Sequence, residues 1–475
     1  MNKAISNQDG PRKRIVITYG TFDVLHQGHI NLLRRAKELG DWLIVGVTTD
    51  NFDLERGKLN TRDSVMKRVQ AVKDTGYADE VIIEEYKGQK IDDIQKYNVD
   101  VFAIGSDWEG YFDYLKEYCE VVYLPRTQGI SSTMLRESQI SVRIGVIGTG
   151  SIARRFVPEA SFVSGNEISA AYNPDTEACR DFCRTFGIGT AASSLEELLA
   201  NCDAVYVASP HYTHFEYAKA ALEAGKDVFC ETPFVLHLAE AKELYAIAEA
   251  KRRTLMVAHK TAYCPAFRHL VTMLKSGVIG KIVDINASVT TLTDERSVKL
   301  DHNRFGGSMN ENACFPLLPI LKLLGQDVRN INFYSIMKND VDMYTKAVFR
   351  YDNATASFQV GLGAKTEGNM VISGTKGYIY VPAPWWKTDY FEQRFEDQNL
   401  NRKCFFPFMG EGLRYEIREF ISHILNPDQS LYLLTKEEIL KMTQIQEDYI
   451  NGVNVYKFKL NHETAYTKGT STAKP

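Results

Sequence analysis

Short apolar runs alternate with amphipathic stretches along the first half of the chain. In the N-terminal part, runs rich in β-branched residues predict buried strands at 14–19, 42–47, 80–83, 101–105 and 121–124. Apolar residues at helical spacing follow the first run over 30–39. This alternation predicts a doubly wound α/β domain with a parallel sheet.

The strand pattern starts again at 142–147 and leads into a helical pattern over 152–159. Apolar runs at 204–208 and 255–258 continue the alternation of strands and helices. Beyond them, period-two alternation predicts a mainly antiparallel sheet with strands at 282–291, 347–351, 354–362 and 378–381. Helical patterns return at 413–425 and 436–449. We therefore expect an α/β protein in which two parallel-sheet domains precede an α+β domain.

Composition is that of an ordinary globular protein and excludes several other classes. Hydrophobic residues make up 44% of the 475 positions and charged residues 24%. The net charge of −4 supports neither a nucleic-acid partner nor an anionic membrane surface. The polar N-terminus lacks a secretory segment and no apolar stretch has spanning length, so we expect a cytoplasmic protein without a membrane partner.

The eight cysteines lack the paired spacing of a zinc site. Cys179 and Cys183 lie one helical turn apart, but no second pair accompanies them. Several of the eight fall in apolar runs, as reduced core thiols do. We therefore expect no metal centre made of protein ligands.

The most specific chemical signal is the stretch from Gly20 to His29, which links the first predicted strand to the first predicted helix. Backbone N–H groups at a helix N-terminus favour anions, and Gly28 lets a triphosphate approach the backbone. His26 and His29 are three residues apart, so both can donate to phosphate oxygens. A lone histidine on an apolar face is usually a core residue, but two histidines that bracket a glycine at this turn predict nucleotide chemistry.

A later segment, 126–133, has the sequence RTQGISST and offers an arginine fork, a glycine nest and hydroxyl groups to oxyanions. With the HxGH stretch and Asp107-Trp108-Glu109-Gly110, it makes the chain from about Arg14 to about Glu137 resemble the cytidylyltransferase family. The likeness is greatest to the bacterial glycerol-3-phosphate cytidylyltransferases. It implies transfer of CMP from CTP to a polyol phosphate, glycerol 3-phosphate first, with Mg²⁺ accompanying CTP and pyrophosphate as the second product.

The same resemblance assigns site residues. The catalytic residues that it implies are His26, His29, Lys58 and Arg126. The nucleotide-binding residues that it implies are Thr21, Phe22, His26, Gln27, Gly28, His29, Lys58, Arg126, Thr127, Gln128, Gly129, Ile130, Ser131, Ser132 and Thr133. Arg56 and Lys90 are implied to bind the acceptor phosphate, while Arg68 is a weaker candidate because helical arginines are commonly surface residues. Adenylyl transfer by the same HxGH chemistry is the alternative reaction, and a CDP-polyol would suit a cell-envelope polymer such as teichoic acid or capsule.

The glycine-rich stretch GTGSIA at 148–153 follows a predicted strand and precedes a helical pattern, as a dinucleotide-binding turn requires. With the motifs at 204–214 and 224–233, it makes about 142–452 resemble the family of glucose-fructose oxidoreductase and inositol dehydrogenase. The resemblance implies a Rossmann domain for NAD(P) and an open-faced sheet domain for the substrate. The cofactor-binding residues are then Gly148, Gly150, Ser151, Ile152, Asn173, Ser209, Pro210, His214 and Glu231. Asn173 stands where an acid would hold the ribose hydroxyls and no arginine at the loop tip would pair a 2′-phosphate, which slightly favours NAD over NADP.

The chain departs from this second family at the positions that carry its chemistry. Thr232 stands where relatives have a lysine, and Phe315 where they often have histidine or tyrosine. Glu311 replaces a frequent aspartate. Reduction of a carbonyl needs a proton donor, and Lys260, directly after the run at 255–258, is a possible replacement if burial lowers its pKa.

Two hypotheses follow for this part of the chain. It is either an NAD(P)-dependent reductase that makes the polyol or its phosphate from a keto precursor, or a non-catalytic dinucleotide-binding or dimerising module. In both cases we expect a homo-oligomer whose small-molecule substrates include CTP and a polyol phosphate. The expected domains are a tail at 1–13, a cytidylyltransferase domain at 14–139, a Rossmann domain at 141–262, an α+β domain at 263–460 and a tail at 461–475.

Overall fold

The computed structural model describes residues 12–23, 25, 27–49, 63–85, 88–125, 141–294, 296–425 and 433–459. The chain divides into two compact units. The first unit consists of Met1–Ser141 together with Val163–Gly165, and the second of Val142–Phe162 and Asn166–Pro475.

The first unit contains a five-stranded parallel sheet in the order β3-β2-β1-β4-β5. Its strands are β1 (Ile15–Gly20), β2 (Trp42–Thr48), β3 (Glu80–Glu84), β4 (Val101–Gly105) and β5 (Glu120–Leu124). Its α-helices are α1 (Gln27–Lys37), α2 (Val65–Asp74) and α3 (Gln89–Tyr97), and 3₁₀ turns cover Ser106–Trp108 and Asp113–Glu117. The predicted doubly wound α/β fold is confirmed.

The two faces of this sheet bury separate apolar cores, because successive side chains of a strand point to opposite faces. Val16 of β1 packs with Leu33 of α1 in one core. Ile17, the next residue, packs with Ile94 of α3 in the other. Burial on both faces explains why these strands read as nearly continuous apolar runs.

Arg68 on α2 is fully buried beneath the first turn of the HxGH stretch. Its guanidinium donates to the backbone carbonyl oxygens of Thr21 (2.7 Å) and Thr48 (2.9 Å), and its Nε donates to Asp63 O (2.9 Å). The expectation of a surface arginine is therefore wrong. The planar fork of donors suits several carbonyl groups at once, so Arg68 fixes the loop after β1 against the end of β2.

The second unit begins with a six-stranded parallel sheet in the order β11-β10-β9-β6-β7-β8. Its strands are β6 (Val142–Ile147), β7 (Asn166–Tyr172), β8 (Thr190–Ala192), β9 (Ala204–Val207), β10 (Asp227–Glu231) and β11 (Leu255–Ala258). The helices of this region are α4 (Ser151–Ala160), α5 (Thr176–Phe186), α6 (Leu195–Ala200), α7 (His214–Glu223) and α8 (Leu238–Lys251), with a 3₁₀ turn at His211–Thr213. This order is that of a Rossmann fold, as predicted.

A nine-stranded mixed sheet completes the second unit, in the order β19-β18-β17-β16-β12-β15-β14-β13-β20. Its strands are β12 (Ile282–Thr290), β13 (Asn330–Lys338), β14 (Val341–Arg350), β15 (Thr355–Gly361), β16 (Met370–Gly374), β17 (Gly377–Val381), β18 (Tyr390–Phe395), β19 (Arg402–Phe405) and β20 (Val455–Lys459). The helices are α9 (Lys260–Tyr263), α10 (Pro265–Lys275), α11 (Ser308–Asn312), α12 (Cys314–Leu324), α13 (Leu413–Leu425) and α14 (Lys436–Ile450). Further 3₁₀ turns lie at Val298–Leu300, His302–Arg304, Trp385–Lys387 and Gln398–Leu400. Most neighbours are antiparallel, as predicted, while β12 with β15 and β13 with β20 are parallel.

A buried ion pair ties the two halves of the second unit together. Arg414 on α13 donates to both carboxylate oxygens of Glu159 on α4, at 2.6 Å and 3.0 Å. Both side chains are less than one tenth exposed. The ring of Phe162 covers the guanidinium at 4.1 Å from its centroid, so helix α13 is held against the Rossmann half through a desolvated bidentate contact.

The eight cysteines are free thiols, six of them buried, which confirms the prediction of reduced core residues. Among the described residues, no helix combines the length and the apolarity that a membrane span needs.

We predict that Arg68→Met destabilises the first unit by about 2–4 kcal/mol, because three backbone carbonyl groups lose a charged donor. The measurement is amide hydrogen exchange of β1 and β2 in the full chain, which reports the local free energy of opening.

Lys67→Met on the same helix is the matched control. Lys67 is 70% exposed, and among the described ion pairs it contacts Asp63 alone, so its loss costs less than about 1 kcal/mol. Equal effects of the two substitutions would contradict the role given to Arg68.

Candidate active sites

The first candidate site lies in the loop between β1 and α1, at the carboxyl edge of the first sheet. Phe22 adopts a positive φ of 51° and is 1% exposed. Its ring meets the ring of His29 edge to face, with centroids 5.5 Å apart. Asp23 accepts a hydrogen bond from the backbone N of Asp63 at 2.9 Å. His29, on the first turn of α1, is half-buried and held by this packing.

Lys90, predicted to bind the acceptor phosphate, lies in a buried polar cluster next to this edge. Its ammonium pairs with Glu84 at the end of β3 and lies 4.4 Å from the centroid of the Tyr19 ring. The hydroxyl of Tyr19 donates to Asp93 at 2.8 Å. Burial, and then the charge of Asp93, raise the pKa of Tyr19, so the phenol stays protonated. The acceptor-binding role of Lys90 stays a prediction, and sequence reasoning missed the three residues that surround it.

Most other predicted residues of this site lie outside the described part of the chain. These residues are His26, Arg56, Lys58, Arg126, Thr127, Gln128, Gly129, Ile130, Ser131, Ser132 and Thr133. Of Gln27 and Asp107 the backbone alone is described. Gln27 opens α1, and Asp107 lies in the 3₁₀ turn after β4. Because β1 and β4 are neighbours in the sheet, their following loops share one edge.

The second candidate site begins at the glycine turn after β6. Gly148 has a φ of 97°, and a Cβ atom there would lie 2.5 Å from the carbonyl oxygen of Ala208. Gly150 directly precedes α4, and a Cβ atom there would meet nothing within 4 Å. Ser151 and Ile152 form the first turn of the helix. The open space before the helix N-terminus fits the pyrophosphate of a dinucleotide.

Asn173 connects this turn to the end of β7. Its side-chain amide donates to Thr149 Oγ1 at 2.7 Å, and its carbonyl oxygen accepts from the backbone N of Asp175 at 2.9 Å. The carboxylate of Asp175 in turn caps α5 by accepting from the backbone N of Ala178 at 3.0 Å. The position that holds a ribose acid in many Rossmann domains is thus occupied by a neutral amide.

His214 contacts two of the loops that border the predicted cofactor cleft. Its ring lies between the carbonyl oxygens of Ser209 and Pro233, each 2.9 Å from a ring nitrogen. Burial lowers the pKa of His214 to about 4, so the ring is neutral at pH 7. The predicted residues Ser209 and Pro210 are therefore positioned by His214, whose own contacts are to protein backbone.

Glu231, at the end of β10, accepts a hydrogen bond from the buried hydroxyl of Tyr206. Glu416 on α13 is 1% exposed, and its Oε2 has no hydrogen-bond partner in the described structure. Burial raises the pKa of both carboxyl groups. Sequence reasoning found Glu231 through its motif, but it missed Glu416 because no local signal connects that position to the cleft.

Lys260 is the first residue of α9 and directly follows His259 at the end of β11. Burial lowers the pKa of the Lys260 ammonium. The charge of Glu416 opposes this shift, while the positive charges of Lys387 and Arg155 add to it. None of the ion pairs between described residues includes Lys260. The lowered pKa that the sequence interpretation required is present, and its use as a proton donor stays a prediction.

Phe315 lies where a proton donor is usual in the resembling family. Its ring meets the ring of His259 edge to face at 5.5 Å and lies 6.4 Å from Trp386. His259 is 2% exposed, with Nε2 2.9 Å from Cys314 O, and burial lowers its pKa to about 4. Neither Phe315 nor this buried ring is suited to deliver a proton at neutral pH.

A histidine and a glutamate form a close pair that connects two parts of the second unit. His211 Nε2 lies 2.8 Å from Glu311 Oε1, and Lys299 Nζ lies 2.6 Å from Glu311 Oε2. Burial alone would raise the pKa of Glu311, but hydrogen bonding to His211 and the charge of Lys299 lower it below its usual value. The pair joins the loop after β9 to α11. The sequence pointed to His211 only as part of a motif and to Glu311 only as a departure from the second family.

Within the described residues, no cluster of three or more histidine, cysteine, aspartate or glutamate side chains has the geometry of a metal site.

Three family matches cover most of the chain. Residues 17–138 match the family described as cytidylyltransferase-like. Residues 142–259 match the oxidoreductase family with an NAD-binding Rossmann fold, and residues 267–380 match the GFO/IDH/MocA C-terminal domain.

Individual relatives agree with these matches. Glycerol-3-phosphate cytidylyltransferase of Bacillus spizizenii is 53% identical over 127 residues, which is 27% of this chain and 98% of that protein. scyllo-Inositol 2-dehydrogenase (NADP(+)) of Bacillus subtilis is 27% identical over 317 residues, 65% of this chain and 95% of that protein.

Among solved structures, a 3-ketoreductase from Actinomadura kijaniata, in complex with NADP and TDP-benzene, has a TM-score of 0.61 at 23% identity. The match covers 67% of this chain and 99% of that one. At this identity the likeness establishes the fold of the second unit. Together with the HxGH turn and the glycine turn, the matches show that the chain belongs to the cytidylyltransferase family in its N-terminal part and to the GFO/IDH/MocA oxidoreductase family, with an NAD(P)-binding Rossmann domain, in the remainder.

Proposed function

We propose that the first unit transfers CMP from CTP to a polyol phosphate, with glycerol 3-phosphate as the preferred acceptor. The observation that carries this proposal is the HxGH stretch on a strand-turn-helix at the carboxyl edge of a parallel sheet, in a region 53% identical to a glycerol-3-phosphate cytidylyltransferase. The product is a CDP-polyol, and such an activated alcohol suits the synthesis of a cell-envelope polymer such as teichoic acid or capsule.

The chemistry is an in-line displacement at the α-phosphorus of CTP. A phosphate oxygen of the acceptor attacks, the bond to the β-phosphate breaks, and pyrophosphate leaves. Because the nucleophile belongs to the substrate, the protein contributes positioning and charge neutralisation. We assign His26 and His29 to the developing negative charge, and Lys58 and Arg126 to the triphosphate, which Mg²⁺ accompanies.

The acceptor side is assigned to Arg56 and Lys90. The described cluster supports this for Lys90, because an ammonium held at the sheet edge by Glu84 and the Tyr19 ring is already desolvated and oriented. A phosphate dianion would bring two negative charges next to this ammonium.

We further propose that the second unit is an NAD(P)-dependent reductase that supplies the polyol phosphate from a keto or aldehyde precursor. Lys260 is assigned as the proton donor, since its pKa is lowered and Thr232 and Phe315 cannot serve. The dinucleotide supplies the hydride, and Gly148, Gly150, Ser151, Ile152, Asn173, Ser209, Pro210, His214 and Glu231 form or support its cleft. Because Asn173 offers a neutral amide in place of an acid, we expect only a slight preference for NAD over NADP.

The expected homo-oligomer would use the open face of the mixed sheet. That face carries aromatic side chains of neighbouring strands: Tyr334 on β13 stacks on Tyr456 on β20 at 5.3 Å, and Tyr378 on β17 is also exposed. Such a face suits a second copy of the chain in the cytoplasm.

For the transferase, we predict pyrophosphate release with CTP and glycerol 3-phosphate, and at least tenfold less release with ATP. A tenfold difference corresponds to about 1.4 kcal/mol of lost base recognition. His29→Asn should lower kcat by roughly 10²–10³, since one donor to the leaving group is removed. A coupled pyrophosphate assay with glycerol, ribitol and erythritol phosphates measures both effects.

His302→Asn, on an exposed 3₁₀ turn of the second unit, is the control for histidine loss and should match the parent. Preference for ATP would favour adenylyl transfer, and full activity of His29→Asn would remove the histidine from the site.

For the reductase, we predict that Lys260→Ala lowers kcat for NAD(P)H oxidation by roughly 10²–10⁴ while leaving the cofactor dissociation constant unchanged. In the parent enzyme, kcat should fall as pH rises through the pKa of Lys260, because the ammonium form donates. That limb should lie below the ordinary lysine value of about 10.4. Absorbance at the reduced nicotinamide band with NADH and NADPH in parallel measures both.

Lys251→Ala, at the exposed end of α8, is the matched control. If the chain binds a dinucleotide yet reduces no ketone or aldehyde, the second unit is a non-catalytic module instead.

A further inference from the structure

Three cationic side chains from separate elements of the second unit lie near one another, and one of them is the proposed proton donor Lys260. Arg155 lies on α4, five residues after Gly150 at the glycine turn. Lys260 opens α9 after β11, and Lys387 ends the 3₁₀ turn Trp385–Lys387. The hydroxyl of Thr261, next to Lys260, donates to Trp386 O at 3.0 Å and holds that turn against α9.

One carboxylate is shared between two of these cations. Glu411 lies 2.9 Å from Lys387 and 3.7 Å from Arg155. It is 40% exposed, so this contact forms at the open side of the cluster. Lys260 has no such partner among the described ion pairs, and the two other cations are its positive neighbours.

Two further acidic groups, Glu231 and Glu416, lie in the neighbourhood, and the charge of Glu416 acts to raise the pKa of Lys260. Glu231 and Glu416 are buried, and burial raises the pKa of both, which favours their neutral forms. Glu231 is also hydrogen-bonded by Tyr206. At the open side of the cluster, Arg155 and Lys387 face the single carboxylate of Glu411 among the described ion pairs, so two cations share one anion there.

The wall next to the cluster is aromatic and lacks charge. Phe315 and Trp386 have ring centroids 6.4 Å apart, and Trp386 also meets Trp385 edge to face. An arginine and a lysine side by side suit a phosphate monoester, and neighbouring aromatic rings suit a short carbon chain.

We propose that Arg155 and Lys387 bind the phosphate group of a small phosphorylated ketone or aldehyde, whose carbonyl group is reduced beside Lys260. The proposal rests on the reductase function assigned to this unit. Hydride passes from the reduced nicotinamide to the carbonyl carbon, the electron pair of the carbonyl bond moves to oxygen, and that oxygen takes the proton of Lys260. The products are the oxidised dinucleotide and a phosphorylated alcohol, which is the class of acceptor that the first unit uses.

A bound dianion would also act on the proton donor. Negative charge close to Lys260 raises the pKa of its ammonium. The substrate therefore favours the form of Lys260 that can donate, and an uncharged ketone lacks this effect. The cluster thus discriminates between phosphorylated and unphosphorylated substrates both in binding and in the proton-transfer step.

The test is site-resolved lysine acetylation of the full chain saturated with NAD⁺, read by peptide mass spectrometry at Lys260 and at Lys387, which is 32% exposed. Glycerol 3-phosphate should slow labelling of both by roughly tenfold at about ten times its dissociation constant, while glycerol should not. Binding of glycerol 3-phosphate at the first unit does not interfere, because each peptide reports its own lysine.

Arg155→Gln should abolish protection of both lysines, and Lys387→Gln should abolish protection of Lys260. Lys275→Gln, exposed at the end of α10, is the matched control and should keep full protection. Absence of protection in the parent, or protection that survives both cluster substitutions, overturns the proposal. Full protection by NAD⁺ alone, with no added effect of glycerol 3-phosphate, also overturns it, since the cations then serve the cofactor.

Turnover separates this proposal from the reductase assignment. The two cluster substitutions should lower kcat/KM for dihydroxyacetone phosphate by at least about tenfold more than kcat/KM for dihydroxyacetone, a difference of about 1.4 kcal/mol. If protection follows the pattern above but no carbonyl compound is reduced, the anion site stands and the reductase fails. Equal kcat/KM for the two ketones in the parent would retain the reductase and remove the anion site.

Discussion

Both candidate sites depend on one constraint: in a parallel sheet, the carboxyl ends of all strands meet at the same edge. The HxGH stretch follows β1, and the 3₁₀ turn that contains Asp107 follows the neighbouring strand β4. The glycine turn follows β6, and the loop of Ser209 follows its neighbour β9. In each sheet the order of the strands along the chain reverses between these two neighbours. At such a reversal a crevice opens between the loops that follow the two strands. The chain uses the same geometry twice, once for each candidate site.

The elements that the sequence could predict are those with a local signal. Apolar runs located the parallel strands, because burial on both faces leaves no polar positions in them. The two turn motifs located the crevices, since Gly148 must adopt a positive φ and approach Ala208 closely. Strands such as β13 and β20 escaped prediction because one of their faces is exposed and their pattern is mixed.

The residues that sequence reasoning missed owe their roles to distant partners. Arg68 resembled a surface arginine on a helix, yet it binds carbonyl groups from two other loops. Glu416 lies far along the chain from Glu231 and reaches the cleft only because α13 packs against α9 and α4. The sequence pointed to Lys260 because it directly follows a strand of the Rossmann sheet. Burial lowers its pKa, as that interpretation required. Tertiary contacts of this kind have no periodicity that a single sequence could reveal.

The buried pair of Glu159 and Arg414 has a consequence for how the polypeptide is made. The two residues are 255 positions apart, and a carboxylate left in that apolar environment without its guanidinium costs about 3–5 kcal/mol. The contact that fixes α4 against α13 can therefore form only after α13, close to the C-terminal end of the sequence, has been synthesised.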